Sequence, residues 1–197
     1  MRSRDRAPPQ LQDVRPPLNN VVMRSVFIDE SKAKDFILCA VSIDNNALHL
    51  ARSVTRQQVM PGQRYVHFVS ESRNRKLAIL NAYSNINLTA DFFIVKDGTP
   101  AQRRSKALRQ LVRTLPSSTS VNLIFDNDEN YTSMDREILR EELTRMSMVP
   151  LVSYSHLPSR NEPLLWLPDA LAWTKAKGKE WNRQLEKFSS RTHLIEA

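Results

Sequence analysis

Glycine is nearly missing from this chain. Gly62, Gly98 and Gly178 are the only three in 197 residues, too few and too scattered for a phosphate-cradling loop, and neither P-loop nor dinucleotide spacing occurs. Cysteine is scarcer still. Cys39 stands alone inside an apolar run, so it reads as a small core hydrophobe in a reducing, cytoplasmic compartment. Cysteine-pair metal motifs and His-Glu-x-x-His are absent. No apolar run reaches membrane-spanning length, and the N-terminus lacks a signal-peptide stretch, so no membrane partner is expected. Carboxylate oxygens are the resource left for chemistry.

Basic charge, by contrast, is abundant. Lys and Arg total 29 against 21 acids, a net charge of +8, and such a balance favours a polyanionic partner, nucleic acid (RNA or DNA) before a membrane surface. Residues 1–20 are rich in Arg and Pro with little to bury and read as a flexible basic arm. Residues 21–178 read as one folded domain, and 179–197 as a basic C-terminal helix or tail.

Consecutive apolar residues mark strands covered on both faces. "SVFID" ends one at Asp29, "FILCAVSI" (Phe36–Ile43) is a second and "QRYVHFV" (Gln63–Val69) a third. Ser70 can cap a helix to about Ser84 with Leu77, Ala78 and Leu80 inward. "NLTADFFIV" (Asn87–Val95) is a strand, and Thr99-Pro100 opens a helix to about Leu115. "SVNLIFD" (Ser120–Asp126) is another strand. Thr132 with Asp135 forms a capping box for a helix through about Met146. Pro150–Ser155 is a short strand, and Pro168 opens a helix stopped by Gly178. Consecutive strands imply an antiparallel meander, and strands separated by helices imply parallel crossovers. The expected fold is α/β, a mixed sheet with helices on both faces.

Three acids stand out by position. Asp29 and Asp126 end strands, where Asp also serves as an ordinary turn starter. Asp169 begins a helix, where the dipole alone favours an acid. Yet Asp169 shares its helix face with Ala172, Trp173 and Ala176, and a carboxylate on a packing face needs a partner.

"VFIDES", "LIFD" and "LLWLPDALAW" resemble the motifs of an RNase H-like family known as domain of unknown function 3800. The resemblance runs from about Arg24 to Gly178, with "FIDES" its most specific part. "VHFVSESRNRKLAIL" is similar to members with a His-Phe and a nearby Glu before an Arg-rich helix. This resemblance implies the RNase H-like fold and an acidic Mg²⁺ or Mn²⁺ site. Asp29, Asp126 and Asp169 match its positions, and Glu71 is the candidate fourth ligand. Asp97, after the 87–95 strand, rivals Asp126. Glu30 points to the face opposite Asp29 if the strand continues. Lys32, Lys34, Arg73, Arg75, Arg103 and Arg104 supply a phosphate track, as basic residues do without reading sequence. His67, His156 and the three tryptophans read as structural. The expected function is a divalent-metal-dependent nuclease, with a non-catalytic nucleic-acid-binding protein on the same fold as the alternative.

Overall fold

The computed structural model describes residues 23–33 and 35–196. The basic arm expected over residues 1–20, and Lys34, lie outside them. Six strands form one mixed sheet: β1 (Met23–Ser31), β2 (Phe36–Asp44), β3 (Thr89–Val95), β4 (Ser120–Asp126), β5 (Val152–Leu157) and β6 (Ser189–Ile195). Their spatial order is β5-β4-β1-β2-β3-β6. Strands β1, β2 and β3 make the antiparallel meander, while β4, β5 and β6 join by parallel pairing.

The meander's third strand is not Gln63–Val69. That segment alternates as a strand does, burying Val66 and Phe68 and exposing Tyr65, His67 and Val69. The place beside β2 belongs to β3, however, so the segment lies as a loop closed by a 3₁₀ turn, Phe68–Ser70.

Helices cover both faces. On one lie α1 (Leu48–Arg56), α2 (Arg73–Tyr83) and α5 (Trp166–Ala176), packed over Phe27, Cys39, Val41 and Ile124. On the other lie α3 (Pro100–Thr114) and α4 (Thr132–Arg145), over Val26, Ile28, Leu38 and Phe125. Period-2 alternation assigns each strand residue to one core or the other. Among the described residues no helix is long and apolar enough to cross a membrane.

Several caps differ from expectation. Helix α2 is capped by Ser72, whose hydroxyl accepts from Arg75 N, and it buries Lys76, Ile79, Leu80 and Tyr83. The Thr99 capping box of α3 is present, closed by Gln102. The Thr132–Asp135 box is not: α4 has no side-chain cap, because Asp135 is drawn into the sheet-side core by Arg104 at 2.7 Å. Nor is the C-terminal segment a helix or tail. A four-residue helix, α6 (Lys179–Asn182), and a 3₁₀ turn lead into β6. That strand is anchored by Asp91, which accepts from Arg191 at 2.8 and 2.7 Å and lies 2.9 Å from His193 Nε2.

Across the α3–α4 seam, Glu142 is 1 % exposed and accepts from Arg145, from Arg113 Nε at 2.8 Å and from Arg109 Nη1 at 3.2 Å. These guanidiniums, Arg145 foremost, hold its carboxyl down to about 2 against the opposing pull of burial. A depressed carboxylate stabilises the fold above its ordinary range and loses that contribution as pH falls through the folded value. Glu142→Gln should therefore lower stability at pH 7 by about 1–2 kcal/mol, discounted because the arginine ends reach water. In urea titrations the deficit should shrink as the pH is taken from about 5 towards 2.

Candidate active site

Alternation places the acids. Phe27 on β1 and Ile124 on β4 face the α5 side, so Asp29 and Asp126, two residues further on, face it as well. The parallel register aligns Ile28 with Phe125, and Asp29 and Asp126 follow side by side at the carboxyl ends of these strands. Asp169, in the first turn of α5, lies on the same face. Strand β3 is separated from β1 by β2, so Asp97 has no such neighbourhood and Asp126 is the acid on the strand beside β1.

Burial and mutual repulsion then act on all three. Burial pushes the Asp29 carboxyl well above the usual range, and the charges of Glu30, Asp169 and Asp126 push it further. Its offsetting contact is a 2.7 Å hydrogen bond from Glu30 N. Burial also raises Asp126, against N–H donors from Ser159 at 2.9 Å and Asn127 at 3.0 Å. The Ser159 loop is itself held by Trp166, whose Nε1 donates to Ser159 O at 2.8 Å. Burial raises Asp169 too, opposed by the Phe68 N–H at 3.4 Å and the charge of His67.

The neighbouring cations are committed to other acids. Lys32 meets Glu30 at 3.1 Å and Asp128 at 2.9 Å. Arg104 meets Asp135 at 2.7 Å and Glu30 at 2.9 Å. Hard oxygen donors gathered without a cation suit a divalent ion in kind. Among the described residues, however, no three of His, Cys, Asp and Glu are grouped closely enough to hold an ion as they stand.

Glu71 is engaged elsewhere. Its carboxylate accepts from Gln63 Nε2 at 3.0 Å and lies 4.0 Å from Arg75 Nε. Glu30 does point to the opposite face, but its charge reaches both Asp29 and Asp126. His67, read from sequence as structural, acts on Asp169, and the "VHF" pattern was the signal for it. His156 is a core residue of β5, stacked on Phe125 at 5.1 Å and 3.2 Å from Asp135.

The expected phosphate track is redistributed. Arg104 is 2 % exposed and its guanidinium is spent on Asp135 and Glu30, so it is a core cation, not a surface contact. Arg103 is partly buried, and Arg75 donates to Gln58 O. Arg73 is exposed and lies over Trp181 at 5.6 Å.

A chain of the PCNA:RNase HII complex from Archaeoglobus fulgidus superposes on this one with a TM-score of 0.51 at 15 % identity, over 84 % of this chain and 77 % of that one. The fold is RNase H-like. Bst-RNase HIII in complex with Mn²⁺ is a further match, at TM-score 0.49 and 12 % identity over 85 % of this chain and 54 % of that one. No family model matches the sequence, and no curated protein matches it significantly.

Proposed function

We propose that this protein is a divalent-metal-dependent nuclease of the cytoplasm, in which Asp29, Asp126 and Asp169 hold Mg²⁺ or Mn²⁺. The supporting observation is that half-buried Asp29 and Asp126, at the carboxyl ends of neighbouring parallel strands, share one face with half-buried Asp169 of α5, and that burial and neighbouring acidic charge raise all three carboxyls. A bound divalent ion supplies Lewis-acid polarisation of a phosphodiester and a nucleophilic water at neutral pH. The chain's own residues do the rest. Backbone N–H groups of Ser159 and Asn127 orient Asp126. The Phe68 N–H orients Asp169, and His67 favours its ionised form. Glu30 adds negative charge from across the sheet while Lys32 and Arg104 balance it.

The motifs "FIDES", "LIFD" and "LPDALAW" support placing the chain with domain of unknown function family 3800. The fold shared with an RNase HII supports nucleic acid as substrate. Incubation with labelled RNA, DNA and hybrid substrates in Mg²⁺, Mn²⁺ or EDTA tests the reading. Cleavage with either metal and none in EDTA is expected. Salt-sensitive binding with no cleavage of any substrate would leave the non-catalytic nucleic-acid-binding protein in its place.

A further inference from the structure

Asp169, Trp173 and Lys177 are spaced i, i+4, i+8, so they share one stripe along α5, about 12 Å from end to end along the axis. Lys177 stands at the helix C-terminus with its Nζ 5.2 Å from the Trp173 ring centroid. Lys76, from α2, brings a second ammonium to within 4.9 Å of the same centroid. Lys76 is 6 % exposed, and its Nζ donates to Val69 O at 2.9 Å and to Glu71 O. An ammonium has three donors, so one remains.

Two like charges over one indole are an uncomfortable arrangement. Burial, and then the charge of Lys177, lower the Lys76 ammonium's pKa, and only Glu71 opposes them. The nearby carboxylates face arginines instead: Glu71 towards Arg75 at 4.0 Å and Glu180 with Arg73. Neither lysine has an ion-pair partner among the described residues. The group adjoins Asp169 through Phe68. Phe68, whose N–H donates to Asp169, meets Trp173 edge-on at 5.4 Å, and Trp173 meets Trp181 at 4.9 Å. Cations interleaved with aromatic rings are the surface that tracks a nucleic-acid backbone.

We propose that Lys76 and Lys177, set about Trp173, form a phosphate-binding subsite that receives the backbone of a nucleic-acid strand next to the aspartates. It rests on the nuclease reading for its place in catalysis but not for its test. Binding of a fluorescent oligonucleotide is measured by anisotropy in EDTA, across a salt series. Lys177→Gln should weaken binding about 3- to 10-fold and reduce the slope of log K against log salt by about 0.7–0.9, the loss of one phosphate contact. Lys177→Arg should restore both. Arg140→Gln, an exposed charge on α4, should change neither. An unlabelled oligonucleotide should displace the probe, and inorganic phosphate at the same phosphorus concentration should not.

Parent-like affinity and slope in Lys177→Gln would overturn the subsite, as would an equal loss in Arg140→Gln or no binding by the parent. Equal displacement by inorganic phosphate would overturn the strand as its ligand. If Lys177→Gln loses binding while the parent never cleaves, the subsite stands and the nuclease reading falls. If the parent cleaves but Lys177→Gln binds normally, the subsite alone falls.

Discussion

Asp29→Asn should abolish metal-dependent cleavage while leaving the fold at least as stable as the parent. The substitution keeps the shape of the side chain and removes the charge. Folded Asp29 has a raised pKa, so the native state binds more protons than the unfolded chain between the ordinary carboxylate range and the folded value. Stability contributed by this group is therefore present at acid pH and is lost as pH rises from about 4. The Asn variant escapes that loss. Its melting temperature should equal or exceed the parent's at pH 7, with the difference closing towards pH 4. Mg²⁺ or Mn²⁺ should raise the parent's melting temperature by mass action and leave the variant's unmoved. Loss of several kcal/mol of transition-state stabilisation corresponds to about 10³-fold or more in rate. A variant that unfolds, or that cleaves like the parent, would make Asp29 a structural residue.

Arg104→Met should behave in the opposite way, destabilising strongly. Arg104 and Asp135 are 2 % and 0 % exposed, joined by two hydrogen bonds of 2.7 Å, and Asp135 also lies 3.2 Å from His156. Removing the guanidinium strands a carboxylate in the interior, which costs about 3–5 kcal/mol. For a chain of this length the melting temperature should fall by about 10 °C. Arg104→Met with Asp135→Leu should recover most of the loss, since an apolar pair of similar volume replaces a buried ion pair at little cost. If both variants were equally unstable in urea titrations, packing at α3, and not the stranded charge, would be the cause.

The difference between these two residues explains what was legible in the sequence. Strands such as Val26–Phe27–Ile28 announce themselves because both faces are covered, and alternation from them fixes the side on which Asp29 and Asp126 stand. Arg104 was not legible. It lies in a helix whose other cations, Arg103, Lys106, Arg109 and Arg113, read as one basic face. Nothing local distinguishes the arginine that turns inward to an acid 31 positions later. Asp135 was misread for the same reason, its capping role being local and its actual partner distant.

Two further misreadings share a second cause. Gln63–Val69 carries genuine alternation, but a strand also requires a vacant edge to pair with, and that is a property of the whole sheet. Ser189–Ile195 is mostly exposed, so its polar sequence looked like a tail. Its ties to Asp91 span 100 positions of sequence.

The pairing of β1 with β4 also bears on how the chain reaches this structure. Strand β1 can zip to β2 at once through a short turn, but its other edge waits for residues 120–126. Between the two lie α1, α2, β3 and α3. Closing so long a loop before any contact repays it slows folding. Until β4 arrives, Val26, Phe27 and Ile28 present an apolar edge with unsatisfied backbone groups, a template on which a second chain can pair. The strand that carries Asp29 is thus both the centre of the finished sheet and the most aggregation-prone surface on the way to it.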